Sequence, residues 1–175
     1  MILSRDEGSL VELLDDNLVK KLVLKPKSSG LRYNVSPEEM VDREIRALEL
    51  LADMEGVQKF VKRDSPKSFI SQYVQAIALR DYNRSLPEQY FEELKVIMKK
   101  CHARGVCRLG LNRNDFLVTP EIKPAIIDFG NVIFKDDPVA RIPLVLNSME
   151  LYNILRANDL KKRYNSLVMV EVPSR

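Results

Sequence analysis

The chain has 175 residues, enough for one domain or for two small lobes that share a boundary. Its 45% hydrophobic and 30% charged residues are an ordinary globular mix, and no apolar run approaches the roughly 18 residues that a bilayer span needs. A net charge of +3 permits contact with phosphates or an anionic surface without demanding nucleic acid.

The N-terminus, MILSRDEGS, has no basic segment followed by a long apolar stretch. No secretory signal is expected, and a cytoplasmic location is. Residues 2–30 read as short strands. Leu10, Val11, Leu13 and Leu14, then Leu18, Val19, Leu22, Val23 and Leu24, flank the turn Asp15-Asp16-Asn17 and predict a β-hairpin. Lys25-Pro26 ends its second strand, because proline cannot donate to a ladder, and residues 27–36 read as a polar loop. Ser36-Pro37-Glu38-Glu39 is a helix start, with serine as cap, proline in the first turn and early acids. Met40, Val41, Ile45, Leu48 and Leu51 continue it at helical spacing to about Met54, with Gly56 as the stop.

Two strands follow, Val57 to Val61 and Ser68 to Val74, separated by the turn Arg63-Asp64-Ser65-Pro66-Lys67. Pro87 opens a second helix, with Tyr90, Phe91, Leu94, Ile97 and Met98 on one face and an end near Gly105. His102, the single histidine, is expected to pack or cap at that end. Cys101 and Cys107 are expected to be buried free thiols in a reducing compartment. One histidine and two cysteines are too few for a zinc site built from nitrogen and sulfur. Phe116 to Val118 and Ala125 to Ile127 predict a small hairpin. Residues 144–164 predict a third helix, and 167–172 a last strand or an ordered arm. The clusters Lys20, Lys21, Lys25, Lys27 and Lys161, Lys162, Arg163 read as solvated faces, with Lys25 a special case. The order β-β-α-β-β-α-β-β-α, with hairpins segregated from helices, predicts an α+β fold.

Chemistry concentrates in residues 101–132. Asp128-Phe129-Gly130 follows the apolar run Ala125-Ile126-Ile127, and Asp115 precedes Asp128 by thirteen residues. A carboxylate that leaves a buried strand beside a glycine can turn outward and hold Mg2+, which favours hard oxygen ligands; an ordinary Asp turn has the same composition. Leu22-Val23-Leu24-Lys25 has the form of three apolar strand residues followed by lysine, which in a cleft would reach the α- and β-phosphates of a nucleotide. Lys25 also fits a surface lysine at a strand end. Glu44, nineteen residues on, would hold Lys25 by an ion pair, or would face solvent and pair along its own helix.

From about residue 7 to 134 the chain resembles the protein-kinase-like superfamily, most of all its small lipopolysaccharide-kinase-like and RIO-like bacterial and archaeal members. The resemblance implies a minimal two-lobed fold, with an N-lobe over residues 1–75 and a reduced C-lobe over 76–175. It implies ATP and Mg2+ as cofactors, Asp128 and Asp115 as metal-binding and catalytic residues, and Lys25 and Glu44 beside the phosphates. Ser68 to Leu79 takes the place of the strand and hinge that receive adenine, at the backbone of Gln72 to Val74. Gly8 alone stands where a glycine-rich loop is expected, so fewer backbone N–H groups can approach the phosphates. Arg108 stands in place of the motif histidine, Gly110 in place of the base aspartate, and Asp115 in place of the metal-binding asparagine. No A-P-E signal follows Gly130, so a dedicated peptide-binding subdomain is not expected.

Gly110 cannot accept a proton. Loss of a base slows transfer by about 10²–10⁴-fold, although electrostatic stabilisation carries most of phosphoryl transfer. Asp115 moving into the base role would leave the metal underligated. Three readings stay open: a serine/threonine-kinase-like phosphotransferase acting weakly on a saccharide, small-molecule or protein hydroxyl; a pseudokinase that holds a nucleotide or a protein partner; and an RNA-associated adaptor, which salt-dependent RNA retention would reveal.

Overall fold

The computed structural model describes residues 1–15, 17–29, 32–108, 114–141, 149, 151–155, 157–162 and 164. They form two units, Met1–Val74 with Asp128–Val132, and Gln75–Ile127 with Ile133–Arg175.

In the first unit, β1 (Ile2–Arg5), β2 (Ser9–Asp15) and β3 (Leu18–Val23) pair in sequence as an antiparallel meander. A short hairpin, β4 (Lys27–Ser29) and β5 (Arg32–Val35), follows where the sequence predicts a loop. Helix α1 (Pro37–Leu50) starts as expected: Ser36 Oγ accepts from the Glu39 N–H at 3.1 Å. It ends before Met54, because Ala52 and Met54 donate to Glu49 and Leu51 in tighter three-residue turns. Leu51 and Met54 remain buried there, so the apolar period outlasts the helix. Strands β6 (Phe60–Ser65) and β7 (Ser68–Gln72) complete an antiparallel sheet of order β1-β2-β3-β7-β6.

Strand β6 takes in Arg63, Asp64 and Ser65, which the sequence assigns to a turn. It is an edge strand with its middle residues exposed, and charged side chains suit such an edge. One sheet face carries Val19 and Val23 of β3 with Phe69 of β7, and α1 packs on the sheet through its stripe of Met40, Val41, Ile45 and Leu48.

The second unit is built round α2 (Glu88–Ala103), which buries Tyr90, Phe91, Leu94 and Met98. Gly105 follows with φ +84°, a left-handed turn that suits glycine. Strand β8 (Ile77–Ala78) precedes that helix. Strands β9 (Val106–Arg108), β10 (Phe116–Val118), β11 (Pro124–Ile126) and β12 (Ile133–Phe134) come after it. Strands β11, β10 and β8 form one antiparallel sheet, and β12 and β9 another. A 3-10 turn spans Pro138–Arg141. The described residues from 149 to 164 are helical and form α3; residues 144–148 of the expected helix and the tail 167–172 lie outside the described residues. The Asn153 amide of α3 lies 2.6 Å from His102 Nε2 and donates to the Cys107 carbonyl at 3.3 Å. His102 therefore has a packing role. Every described strand pair is antiparallel, and the chain is α+β as expected. Among the described residues no helix is long and apolar enough to cross a membrane.

Candidate functional site

Lys21 lies in the middle of β3, on the face that carries Val19 and Val23. Its ammonium donates to both oxygens of Glu44, at 2.9 and 2.8 Å, and to Asp128 Oδ1 at 2.8 Å. An ammonium has three donors, and all three are used. The Lys21 and Glu44 side chains are only 14% and 2% exposed, whereas Asp128 keeps 38% of its side chain open. Glu44 belongs to the buried stripe of α1, and its Oε1 also accepts from the Phe129 N–H at 3.2 Å. Arg43 Nη2 donates to the Val132 carbonyl at 3.0 Å. Together these bonds fasten residues 128–132 to α1.

Asp128 adopts φ +62°, a left-handed conformation in which aspartate is enriched among non-glycine residues. Its Oδ1 also accepts from the Gly130 N–H at 3.2 Å. A Cβ on Gly130 would stand 3.3 Å from Glu44 Oε2 and 3.4 Å from Asp128 Oδ1. The glycine after Phe129 is therefore a matter of space beside the two carboxylates.

Burial by itself would lower the Lys21 pKa, but the charges of Asp128 and Glu44 outweigh it and hold the ammonium well above the usual lysine range. Burial pushes the Glu44 carboxyl up, and Lys21 opposes that push. With both acids ionised, two carboxylates share one ammonium and the group carries an excess negative charge. A partly exposed carboxylate in such a group suits Mg2+, which takes one or two carboxylates and keeps waters and phosphate oxygens as its other ligands. Among the described residues no cluster of three or more His, Cys, Asp or Glu forms a metal cage.

The expected pair Lys25–Glu44 is not the one formed. Strand β3 ends at Val23, and Lys25 is exposed beyond it; its N–H and that of Leu24 point to the Gly8 carbonyl at 3.5 and 2.8 Å. Lys21 shares the same alternation two pairs earlier, where the strand is still covered by α1. The signal for it in the sequence is a lysine between two valines of a buried face, which only a carboxylate partner could tolerate.

Gly8 is buried in the β1–β2 turn, and its N–H donates to Asp6 Oδ1 at 2.7 Å. The Gln72 backbone is committed to the sheet: its N–H donates to Lys59 at 2.8 Å and its carbonyl accepts from Gln58 Nε2 at 3.2 Å. The Tyr73 N–H donates to Asn17 at 2.7 Å. Adenine recognition at Gln72 is thus at odds with its bonding, while among the described residues none bonds the Val74 backbone. In the second unit, Asp115 is buried immediately before β10, and its carbonyl accepts from the Ile127 N–H at 2.9 Å. Gly110 lies outside the described residues.

A five-stranded antiparallel sheet carrying one helix, with a strand lysine held by a helix glutamate and by the aspartate of an Asp-Phe-Gly turn, belongs to a protein-kinase-like fold, and comparison with solved structures agrees. The chain is similar to Rio2 kinase from Chaetomium thermophilum. It matches a complex of that kinase with ADP, Mg2+ and phosphoaspartate at a TM-score of 0.62 and 16% identity, over 93% of this chain and 60% of that one. A second structure of the same kinase matches at 0.62 and 17% identity, over 92% of this chain and 62% of that one. The chain therefore spans about 60% of the length of these structures, and the likeness is one of fold. No protein-family model and no curated protein matches the sequence.

Proposed function

We propose that the chain is an ATP- and Mg2+-binding, serine/threonine-kinase-like phosphotransferase of the lipopolysaccharide-kinase or RIO type. Its transfer to a saccharide, small-molecule or protein hydroxyl is weakened or lost because Gly110 stands where the base is expected. The observation that carries this reading is the Lys21–Glu44–Asp128 group. The ADP and Mg2+ in the Rio2 complex support it from a protein of similar fold. The two buried free thiols fit a reducing compartment, and we assign the chain to the cytoplasm.

Bound Mg-ATP supplies the transferable phosphoryl group and the metal that offsets its charge. Lys21 then serves as the cation for the phosphates and Glu44 keeps it on the strand face. Asp128 serves as a metal ligand, and Asp115 is assigned as a second from the sequence pattern. The Val74 backbone is left for the adenine edge. Because all three Lys21 donors are in use, a phosphate reaches the ammonium only if one bond is given up. If the partly exposed Asp128 carboxylate held the metal, its bond to Lys21 would be the one given up, leaving that ammonium for the phosphates. Nucleotide affinity should therefore depend on Mg2+.

Thermal-shift titration with ATP, with and without Mg2+, tests this. A Mg-dependent rise in Tm is expected, abolished in Lys21→Ala and Asp128→Asn and retained in Lys25→Ala. No shift at millimolar ATP would overturn the reading. If binding holds, Gly110→Asp should raise phosphotransfer by about 10²-fold or more.

One observation favours the second reading, a pseudokinase scaffold that binds a nucleotide or a protein partner without transfer. The backbone donors of the β1–β2 turn are already engaged by Asp6.

A further inference from the structure

Three donors converge on one oxygen at the β1–β2 turn. The Gly8 N–H lies 2.7 Å from Asp6 Oδ1, the Ser9 N–H 2.6 Å, and the Ser9 hydroxyl 3.2 Å. Consecutive backbone N–H groups aimed at one point make an anion-binding concavity, and here the chain's own carboxylate fills it.

The turn is fixed relative to Lys21. Ser9 pairs with Val23 and Val11 with Lys21 in regular antiparallel register. Directly opposed residues project from the same face, so Ser9 and Lys21 share the face covered by α1. They are separated along the strands by two residues, about 7 Å. The Gly8 carbonyl accepts from the Leu24 N–H at 2.8 Å, which ties the turn to the end of β3. An anion that reached the Lys21 ammonium with one end could reach this turn with the other.

We propose that Asp6 is an internal phosphate surrogate: its carboxylate occupies the donors of the β1–β2 turn and keeps a nucleotide's phosphates off it. This rests on the nucleotide reading of the Lys21 site. In the native chain the phosphates are held from the lysine side, and the turn adds repulsion from Asp6 and Glu7 in place of hydrogen bonds. Removing the Asp6 carboxylate turns the same donors toward phosphate, where each forms a charge-assisted bond.

Calorimetric titration of the full chain, Asp6→Ala and Asp6→Asn tests this with Mg-ATP, adenosine and inorganic pyrophosphate. Asp6→Ala should bind Mg-ATP about tenfold more tightly than the native chain, with adenosine unchanged. Asp6→Asn keeps an oxygen on the turn and loses the charge, so about a threefold gain is expected. Where the native chain binds Mg-ATP, unchanged or weaker binding by Asp6→Ala overturns the proposal, and so does an equal gain in both variants, which would make charge the whole effect. If Asp6→Ala does not fold, absence of any gain in Asp6→Asn overturns it. Native binding of Mg-ATP that is lost in Lys21→Ala upholds the nucleotide reading whatever Asp6 does. Pyrophosphate bound by Asp6→Ala alone, with no Mg-ATP binding to any form, would sink the nucleotide reading and keep the surrogate.

Discussion

Glu44 sits among Met40, Val41, Ile45 and Leu48 on the buried stripe of α1, where burial pushes its carboxyl up and the Lys21 ammonium is the charge that opposes the push. Removing one member of a buried pair strands the other, which costs about 3–5 kcal/mol, whereas replacing both by apolar residues of similar size is often close to neutral. Lys21→Met should therefore destabilise the chain by about 3 kcal/mol, and Lys21→Met/Glu44→Leu should recover most of that loss. Urea unfolding of the native chain, both single variants and the double variant measures the coupling. A double variant as unstable as the sum of the singles would mean that the two side chains act independently. The glutamate was legible in the sequence from its place on the helix that follows the lysine strand, nineteen residues from Lys25. The lysine that pairs with Glu44 stands four residues before the expected Lys25. Three apolar residues before Lys25 imitate a strand motif, while which lysine lies under α1 depends on where β3 ends, and Pro26 fixes that only to within a few residues.

At the scale of elements, the turn between β10 and β11 places Ile122 at φ +59°, 42% exposed. A β-branched residue is disfavoured there, since the left-handed conformation brings its Cβ against the following carbonyl at a cost of about 1–2 kcal/mol. The turn is held without its side chain: the Thr119 N–H donates to Lys123, the Ile122 N–H to Thr119, and the Lys123 N–H to Thr119 Oγ. Ile122→Gly should therefore stabilise the chain by about 1 kcal/mol, less the added freedom of the unfolded glycine. Equilibrium unfolding reads this directly, and a loss of stability would show that Ile122 contributes packing that outweighs its backbone strain. The same hairpin was readable from its two apolar triplets. The long helices were readable too, because caps and a 3.6-residue period mark them locally. Strands β8, β9 and β12 are two or three residues long and owe their existence to partners distant in sequence, so no local pattern could announce them. Strand β6 was masked by its own charge, which suits an edge and looks like a turn.

Across the whole molecule, both units hold protons more tightly when folded, and this sets a direction for the pH dependence of stability. In the first unit, Asp128 and Glu44 overcome burial and raise the Lys21 ammonium above its ordinary 10.5. In the second, burial raises the Tyr90 hydroxyl above 10.0 and pushes the Cys101 thiol from 9.0 up to about 12. A folded pKa above the unfolded one gives stability that is complete below the unfolded value and is lost as pH rises toward the folded one. The losses therefore begin near pH 9.0 with Cys101, then 10.0 with Tyr90 and 10.5 with Lys21, as the unfolded chain releases protons that the folded chain keeps. Glu44, whose burial raises its carboxyl, follows the same rule: the folded chain takes up its proton first on acidification, so this acid opposes unfolding at low pH. Tm should fall steeply between about pH 9 and 11, with Cys101→Ala flattening the onset of the decline and Tyr90→Phe and Lys21→Met its later part. Calorimetric scans of the four proteins across that range decide the matter. A native Tm that stays level to pH 11, or variants whose curves run parallel to it, would mean that these three groups titrate alike in the folded and unfolded chains.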